Sequence, residues 1–197
     1  MKGVVNFEPN CFYHVVNHAV GSENLFRNHD NYLYFLSRYD VHFSPVVETY
    51  AYCLMPNHFH LLVRIKSLEA LEHEPKYKGD IHKFVMQRFS NLLNGYAKAY
   101  NIRFERKGAL FIDYTKRFLV DSEDYFTAAV AYIHQNPVKH GFVKDMADWR
   151  YSSYLSHLSP KDTKLKRNEV LAWFGGKEAY EQFHKNQLPL NPDLEIF

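Results

Sequence analysis

The sequence predicts an α+β fold, a ferredoxin-like sandwich with helices packed on a central antiparallel sheet, plus a small C-terminal extension. Three observations lead there. The segments read in the order β-α-β-β-α-β-α, which suits one antiparallel sheet with helices laid on it. Met55-Pro56-Asn57 is turn chemistry and too short for a crossover, so the strands it joins form a hairpin. Ile81 to Tyr100 carries Ile81, Phe84, Val85, Phe89, Leu92, Leu93 and Tyr96 on one helical face, which needs a sheet to cover it.

Each element has its own warrant. Cys11 to Val20 is β-branched and aromatic with partial alternation, a first strand that Gly21-Ser22 ends. Asn28 to Tyr39 places Tyr32, Leu33 and Leu36 at helical spacing behind a polar start. Val46 to Leu54 and His58 to Ile65 are the hairpin strands, expected at the centre of the sheet. Ser67 to Asp80 is charged and irregular, a loop, and the long amphipathic helix follows it. Phe104 to Val120 reads as strand-like around a Gly108 turn. The next helix starts at a cap, Asp121 or Ser122, with Glu123-Asp124 in its first turn. Its end is expected at Asn136, because proline at 137 disfavours α geometry in the residue before it. Ser156 to Asn168 is a polar, Lys-rich linker, and Val170 to Lys185 forms a short helix. The domain expectation is therefore residues 1–155, with 156–197 as linker and helical extension.

Composition bounds the function. Of 197 residues, 46% are hydrophobic and 23% charged, enough to bury a core and too apolar for a disordered or fibrous chain. The best apolar runs, Phe59–Val63 and Ala128–Ile133, fall far short of the ~20 residues that cross a bilayer, so no membrane partner is expected. Two cysteines, Cys11 and Cys53, read as reduced thiols, and Met1-Lys2-Gly3 opens no apolar signal core; the expected location is cytoplasmic. Twenty-four Lys+Arg against 22 Asp+Glu give +2, so the average field does not announce a nucleic-acid binder. Twelve histidines and a 17% aromatic fraction are the unusual numbers.

The histidines carry the first chemical signal. His58 and His60 flank Phe59 on a strand, so both imidazoles face one side while Phe59 faces the other. Two neutral imidazoles side by side can share a cation, although a polar stripe on a solvated strand would read the same way. A third ligand has to come from elsewhere. Tyr132 and Asn136 are i and i+4 on the helix that precedes Pro137, and so share a face. The Asn136 carbonyl oxygen is a hard ligand that suits Mg²⁺ or Mn²⁺ beside two histidine nitrogens.

At this point a resemblance emerges. Cys53-Leu54-Met55-Pro56-Asn57-His58-Phe59-His60-Leu61-Leu62-Val63 looks like the His-hydrophobic-His (HUH) motif of single-strand tyrosine nucleases. Its flanks resemble those of the REP-associated tyrosine transposases, relatives of the small single-strand insertion-sequence transposases. A second block agrees: Lys107-Gly108-Ala109-Leu110-Phe111, then Lys116-Arg117, then Tyr132-Ile133-His134-Gln135-Asn136-Pro137. The third is Asp148-Trp149-Arg150-Tyr151-Ser152-Ser153-Tyr154. Together the blocks cover roughly residues 10 to 155.

The resemblance implies the ferredoxin-like fold, His58 and His60 as metal ligands, Asn136 as the third and Tyr132 as the nucleophile. It implies a metal-dependent transposase that cuts single-stranded DNA at hairpins from repetitive palindromic elements, through a 5′-phosphotyrosine, as monomer or homodimer. With so small a net charge, DNA contact should concentrate on Arg103, Arg106, Lys107, Lys116, Arg117 and Lys139. Trp149, Tyr154 and the Trp173-Phe174-Gly175-Gly176 segment are expected to pack. Two other readings stay open: a catalytically idle binder of structured single-stranded DNA, and a hydrolase that activates water on the histidine-bound metal.

Overall fold

The structure is a computed structural model that describes residues 5–186. Its sheet is built from β1 (Phe12–His18), β2 (Val47–Leu54), β3 (His58–Ile65) and β4 (Lys116–Val120), in the order β2-β3-β1-β4. Every neighbouring pair is antiparallel. This is the ferredoxin-like topology that the element order predicted. The hairpin sits off-centre: β3 is an inner strand, whereas β2 lies at the edge. That edge is covered, because Leu54 N donates to the Tyr151 carbonyl at 2.9 Å and Ser153 N to the Tyr52 carbonyl at 2.9 Å.

Alternation along the strands sends side chains into two cores. On one face lie α1 (His29–His42), the short α2 (Leu68–Glu72) and α3 (Ile81–Arg103), closed over Tyr13, Val15, Phe59, Leu61 and Val63. Asn28 caps α1 by accepting from Asn31 N, and Asp80 caps α3 by accepting from Lys83 N. The opposite face carries α4 (Glu123–Lys139), with Phe126, Val130 and Ile133 against Tyr50, Cys53 and Leu62. Ser122 is the cap of α4, settling the choice left between it and Asp121.

Other expectations are refined by the structure. The segment read as a loop contains α2, because Ser67 caps it by accepting from Ala70 N. Phe104 to Val120 is strand only from Lys116. Before that, Glu105 (φ 51°) and Gly108 (φ 91°) turn the chain, leaving one bridge between Ala19 and Phe111. Helix α4 runs through Pro137 to Lys139, since a proline in the last turn forfeits one ladder bond while His140 N still donates to the Asn136 carbonyl. The segment 156–186, expected as linker and helical extension, packs against the body. Helices α5 (Tyr154–Leu158), α6 (Arg167–Phe174) and α7 (Lys177–Lys185) place Tyr154, Val170 and Tyr180 in the α4 core.

The aromatic residues expected to pack do so. Trp149 donates its Nε1–H to the Leu54 carbonyl at 3.0 Å, and the Trp173 and Phe126 ring centroids lie 4.3 Å apart. Cys11 and Cys53 are free thiols. Among the described residues no helix is long and apolar enough to cross a membrane.

Candidate active site

The β1–β3 register decides what meets what beneath α4. His18 is directly opposite His58 and Val16 opposite His60, so the even-numbered residues of both strands face the same layer. His58 and His60 are buried, their ring centroids 5.0 Å apart. His14 reaches diagonally to His60, with Nε2 and Nδ1 separated by 3.0 Å, and His18 stacks on His58 at 5.6 Å. The His140 ring lies 5.1 Å from that of His58.

Helix α4 supplies the rest. Tyr132, buried at 7% exposure, presents its ring edge-on to His60 at 5.6 Å and to His14 at 6.0 Å. Asn136 is buried one turn later, its Nδ2 donating to the Tyr132 carbonyl at 2.8 Å. That bond engages the amide nitrogen, so Oδ1 is the end that could serve as a ligand. The Lys139 ammonium sits 4.5 Å from the centroid of the Tyr132 ring. Tyr132, Asn136, Lys139 and His140 are one stripe at helical spacing.

Burial governs the protonation of the imidazoles. It pushes His14 and His58 down to about 3, the charges of His140 and His18 adding to the effect on His58. His60 is held well below the usual imidazole range by burial first, then by His14, His58, His140 and Lys139. All three rings are therefore neutral at neutral pH, the form that offers a lone pair to a metal.

The donor set fits a divalent cation. The buried Nε2 of His60 has no hydrogen-bond partner. Among the described residues no three His, Cys, Asp or Glu side chains are grouped to hold a metal, so among them an ion on His58 and His60 would take its third protein ligand from another residue type. Asn136 is of that type, and two imidazoles with one amide oxygen suit Mg²⁺ or Mn²⁺.

The basic residues do not form one track. Lys116 and Lys139 come to the histidine side. Arg117 alternates to the opposite face, where it is buried and donates from Nε to the Val5 carbonyl at 2.9 Å. Arg106 is tied to Glu23 at 3.1 Å and donates to the Ala109 carbonyl at 2.7 Å. Arg103 and Lys107 are exposed around the end of α3. Sequence reasoning missed His14, His18 and His140. Alternation alone puts His14 and His18 on one face of β1, but only the strand pairing shows that β3 shares it.

Known proteins share part of this chain's sequence and its fold. A Haemophilus influenzae protein whose name assigns it to the REP-associated tyrosine transposases is 29% identical over 110 residues. The chain resembles that family. The match takes in 54% of this chain and 58% of the relative, so the chain spans less than two thirds of the relative's length. A solved REP-associated tyrosine transposase, described as bound to a REP hairpin, superposes with a TM-score of 0.61. That likeness covers 81% of this chain and 86% of the other at 14% identity, and it is a likeness of fold. No family model matches the chain.

Proposed function

We propose that the protein is a transposase-type endonuclease and strand transferase that cuts single-stranded DNA at hairpin-bearing sites. Its nucleophile is Tyr132, and its metal ligands are His58, His60 and Asn136. The observation that carries the proposal is the Tyr132 ring standing edge-on to His60 at 5.6 Å, although 72 positions separate the two residues. The likeness to the REP-associated transposases, one of them titled as bound to a REP hairpin, supports DNA hairpins as the substrate.

In this reading Tyr132 Oη attacks the scissile phosphorus, forming the phosphotyrosine bond on the 5′ side as the P–O3′ bond breaks; the proton lost by the phenol is balanced by the one taken up by the departing 3′ oxygen, which leaves as a hydroxyl. A free phenol, with a pKa of ~10, is a poor nucleophile at neutral pH. The Lys139 cation over the ring favours the phenolate, and the helix holds the oxygen beside the histidines. His14 fixes His60 through the 3.0 Å ring contact, so that Nε2 is the free end. A Mg²⁺ or Mn²⁺ ion bound there would offset the phosphate charge that repels the phenolate. Because the bond energy stays in the phosphotyrosine ester, the 3′-hydroxyl can attack in reverse and rejoin the strand without ATP.

The test is incubation with labelled single-stranded hairpins and Mg²⁺ or Mn²⁺, followed by denaturing electrophoresis. The expected result is a shifted, denaturation-resistant band that Tyr132→Phe abolishes while DNA affinity stays within about threefold. An adduct that survives Tyr132→Phe moves the nucleophile elsewhere, and cleavage that survives without an adduct favours water activation.

A further inference from the structure

Between α1, strand β2 and the segment that joins α5 to α6 lies a half-open cavity of about 820 Å³. Its floor is Phe35, Leu36, Tyr39, Val47 and Leu61, which continue the core beneath α1, on the face of the sheet away from the histidine cluster. A space of that size and lining suits a small organic molecule, whose body the apolar walls hold and whose orientation a few polar groups fix. Water over such a floor finds few partners, so an apolar body that displaces it is favoured.

Two polar groups of the lining are left over after the protein's own pairing. Asp40 is met by Lys164 at 2.7 Å and Glu48 by Lys166 at 2.9 Å. Lys66 is the remaining charge of the lining, and among the described residues its ammonium has no carboxylate partner. The second group is the Tyr52 hydroxyl. It has no hydrogen-bond partner among the described residues, whereas the Tyr39 hydroxyl is paired with Thr49 Oγ1 at 2.6 Å. Burial pushes the Tyr52 phenol up, so it stays a neutral donor. One uncompensated ammonium and one phenol donor above an apolar floor ask for a single anionic head on an apolar body. There is also a way in. The outer wall is held by Lys166 N donating to the Thr49 carbonyl at 2.9 Å and by the Lys164–Asp40 pair, whose side chains are 82% and 44% exposed. An ion pair so exposed opens at little cost.

We propose that this cavity binds a small amphipathic monocarboxylate, its apolar body on Phe35, Leu36 and Leu61 and its carboxylate between the Lys66 ammonium and the Tyr52 hydroxyl. A carboxylate carries the one negative charge that the lining lacks and accepts from both donors at once. An alkyl chain and a fused aromatic ring system both meet the description of the body, and the test separates them. The site shares no residue with Tyr132, Asn136 or the histidines, so its occupancy requires neither the metal nor the DNA of the reading above.

The test is calorimetric titration of the full chain at neutral pH with octanoate and with 2-naphthoate, each beside its uncharged analogue, 1-octanol or 2-naphthol. At least one carboxylate should bind once per chain and about tenfold tighter than its analogue, and the tighter of the two names the body as alkyl or aromatic. Lys66→Met keeps the stem and removes the charge. It should bring the carboxylate to within about threefold of the analogue and leave the analogue's affinity unchanged. Ser37→Trp, from the exposed surface of α1 into the cavity mouth, should abolish binding of both. Neither residue is buried, so both variants should keep the wild-type Tm; should one fail to fold, the other decides. Wild type that binds neither carboxylate at about 1 mM overturns the proposal. So does equal affinity for acid and analogue, and so does carboxylate binding that the folded variants leave unchanged, because the ligand then sits elsewhere. DNA cleavage and adduct formation at Tyr132 play no part in these readouts, so failure here leaves the nuclease reading standing, and failure of that reading leaves this site standing.

Discussion

His14 shows how one ring nitrogen can set the use of another. A neutral imidazole carries its proton on one nitrogen only. If His60 Nε2 is to bind a metal, its Nδ1 must hold the proton and donate it to His14 Nε2, 3.0 Å away. His14 is fully buried, so its lone pair is held in place by packing rather than by chance. His14→Phe keeps an aromatic ring of similar size but removes that acceptor. It should weaken Mn²⁺ binding, read by electron paramagnetic resonance of the free ion, by about tenfold to a hundredfold. His14→Gln, whose amide oxygen can accept the same proton, should recover most of the loss. Equal Mn²⁺ affinity in the Phe variant would reduce His14 to a packing residue.

At the scale of elements, the breaks between helices were the least legible feature. The sequence supports one helix over Val170 to Lys185, and the structure divides it at Gly175-Gly176. Gly175 takes φ 81° and ψ 19°, its N–H meeting the Ala172 carbonyl at 3.0 Å while Gly176 N–H meets the Leu171 carbonyl at 2.8 Å. That pair of bonds is a Schellman stop, available only to a residue at ease in the left-handed region. Gly176 then takes φ 120° and ψ 179°, a region closed to residues with a Cβ even though a Cβ there would meet nothing nearer than 4.0 Å. Gly175→Ala should cost about 1 kcal/mol and Gly176→Ala about 2 kcal/mol in urea unfolding. Gly175→Asn should be milder than Gly175→Ala. The reverse order of the two alanine variants would mean that the turn relaxes. Helix α4 errs the other way. Its proline looks like a stop, but the last turn tolerates it, and only the continued turn carries Lys139 and His140 to the site.

For the whole molecule, period-two and period-3.6 patterning with turn chemistry made the sheet, α1, α3 and α4 readable, and the HxH strand and the Tyr132–Asn136 turn marked the site. Strand order and the pairing of β1 with β3 arise from packing between distant segments, and so the gathering of His14, His18 and His140 around the pair was not readable. The same packing explains a global property. Burial pushes His14 and His58 down to about 3, and His157 and His184 down to about 4. In the unfolded chain each takes up a proton near pH 6.5. A depressed histidine therefore contributes stability that is present above pH 6.5 and lost as pH falls toward its folded value. Each such ring adds a slope of up to about 1.4 kcal/mol per pH unit across that window. The expected outcome in the metal-free protein is a steep fall in the urea midpoint between pH 6.5 and 4, before most carboxylates titrate. His157 lies in the α4–α7 core, its ring 5.7 Å from that of His134, far from the proposed ligands in sequence. His157→Phe should flatten the curve by about one proton while preserving the fold at pH 7, as checked by circular dichroism. An unaltered slope would show that His157 takes up its proton in the folded state as readily as in the unfolded one.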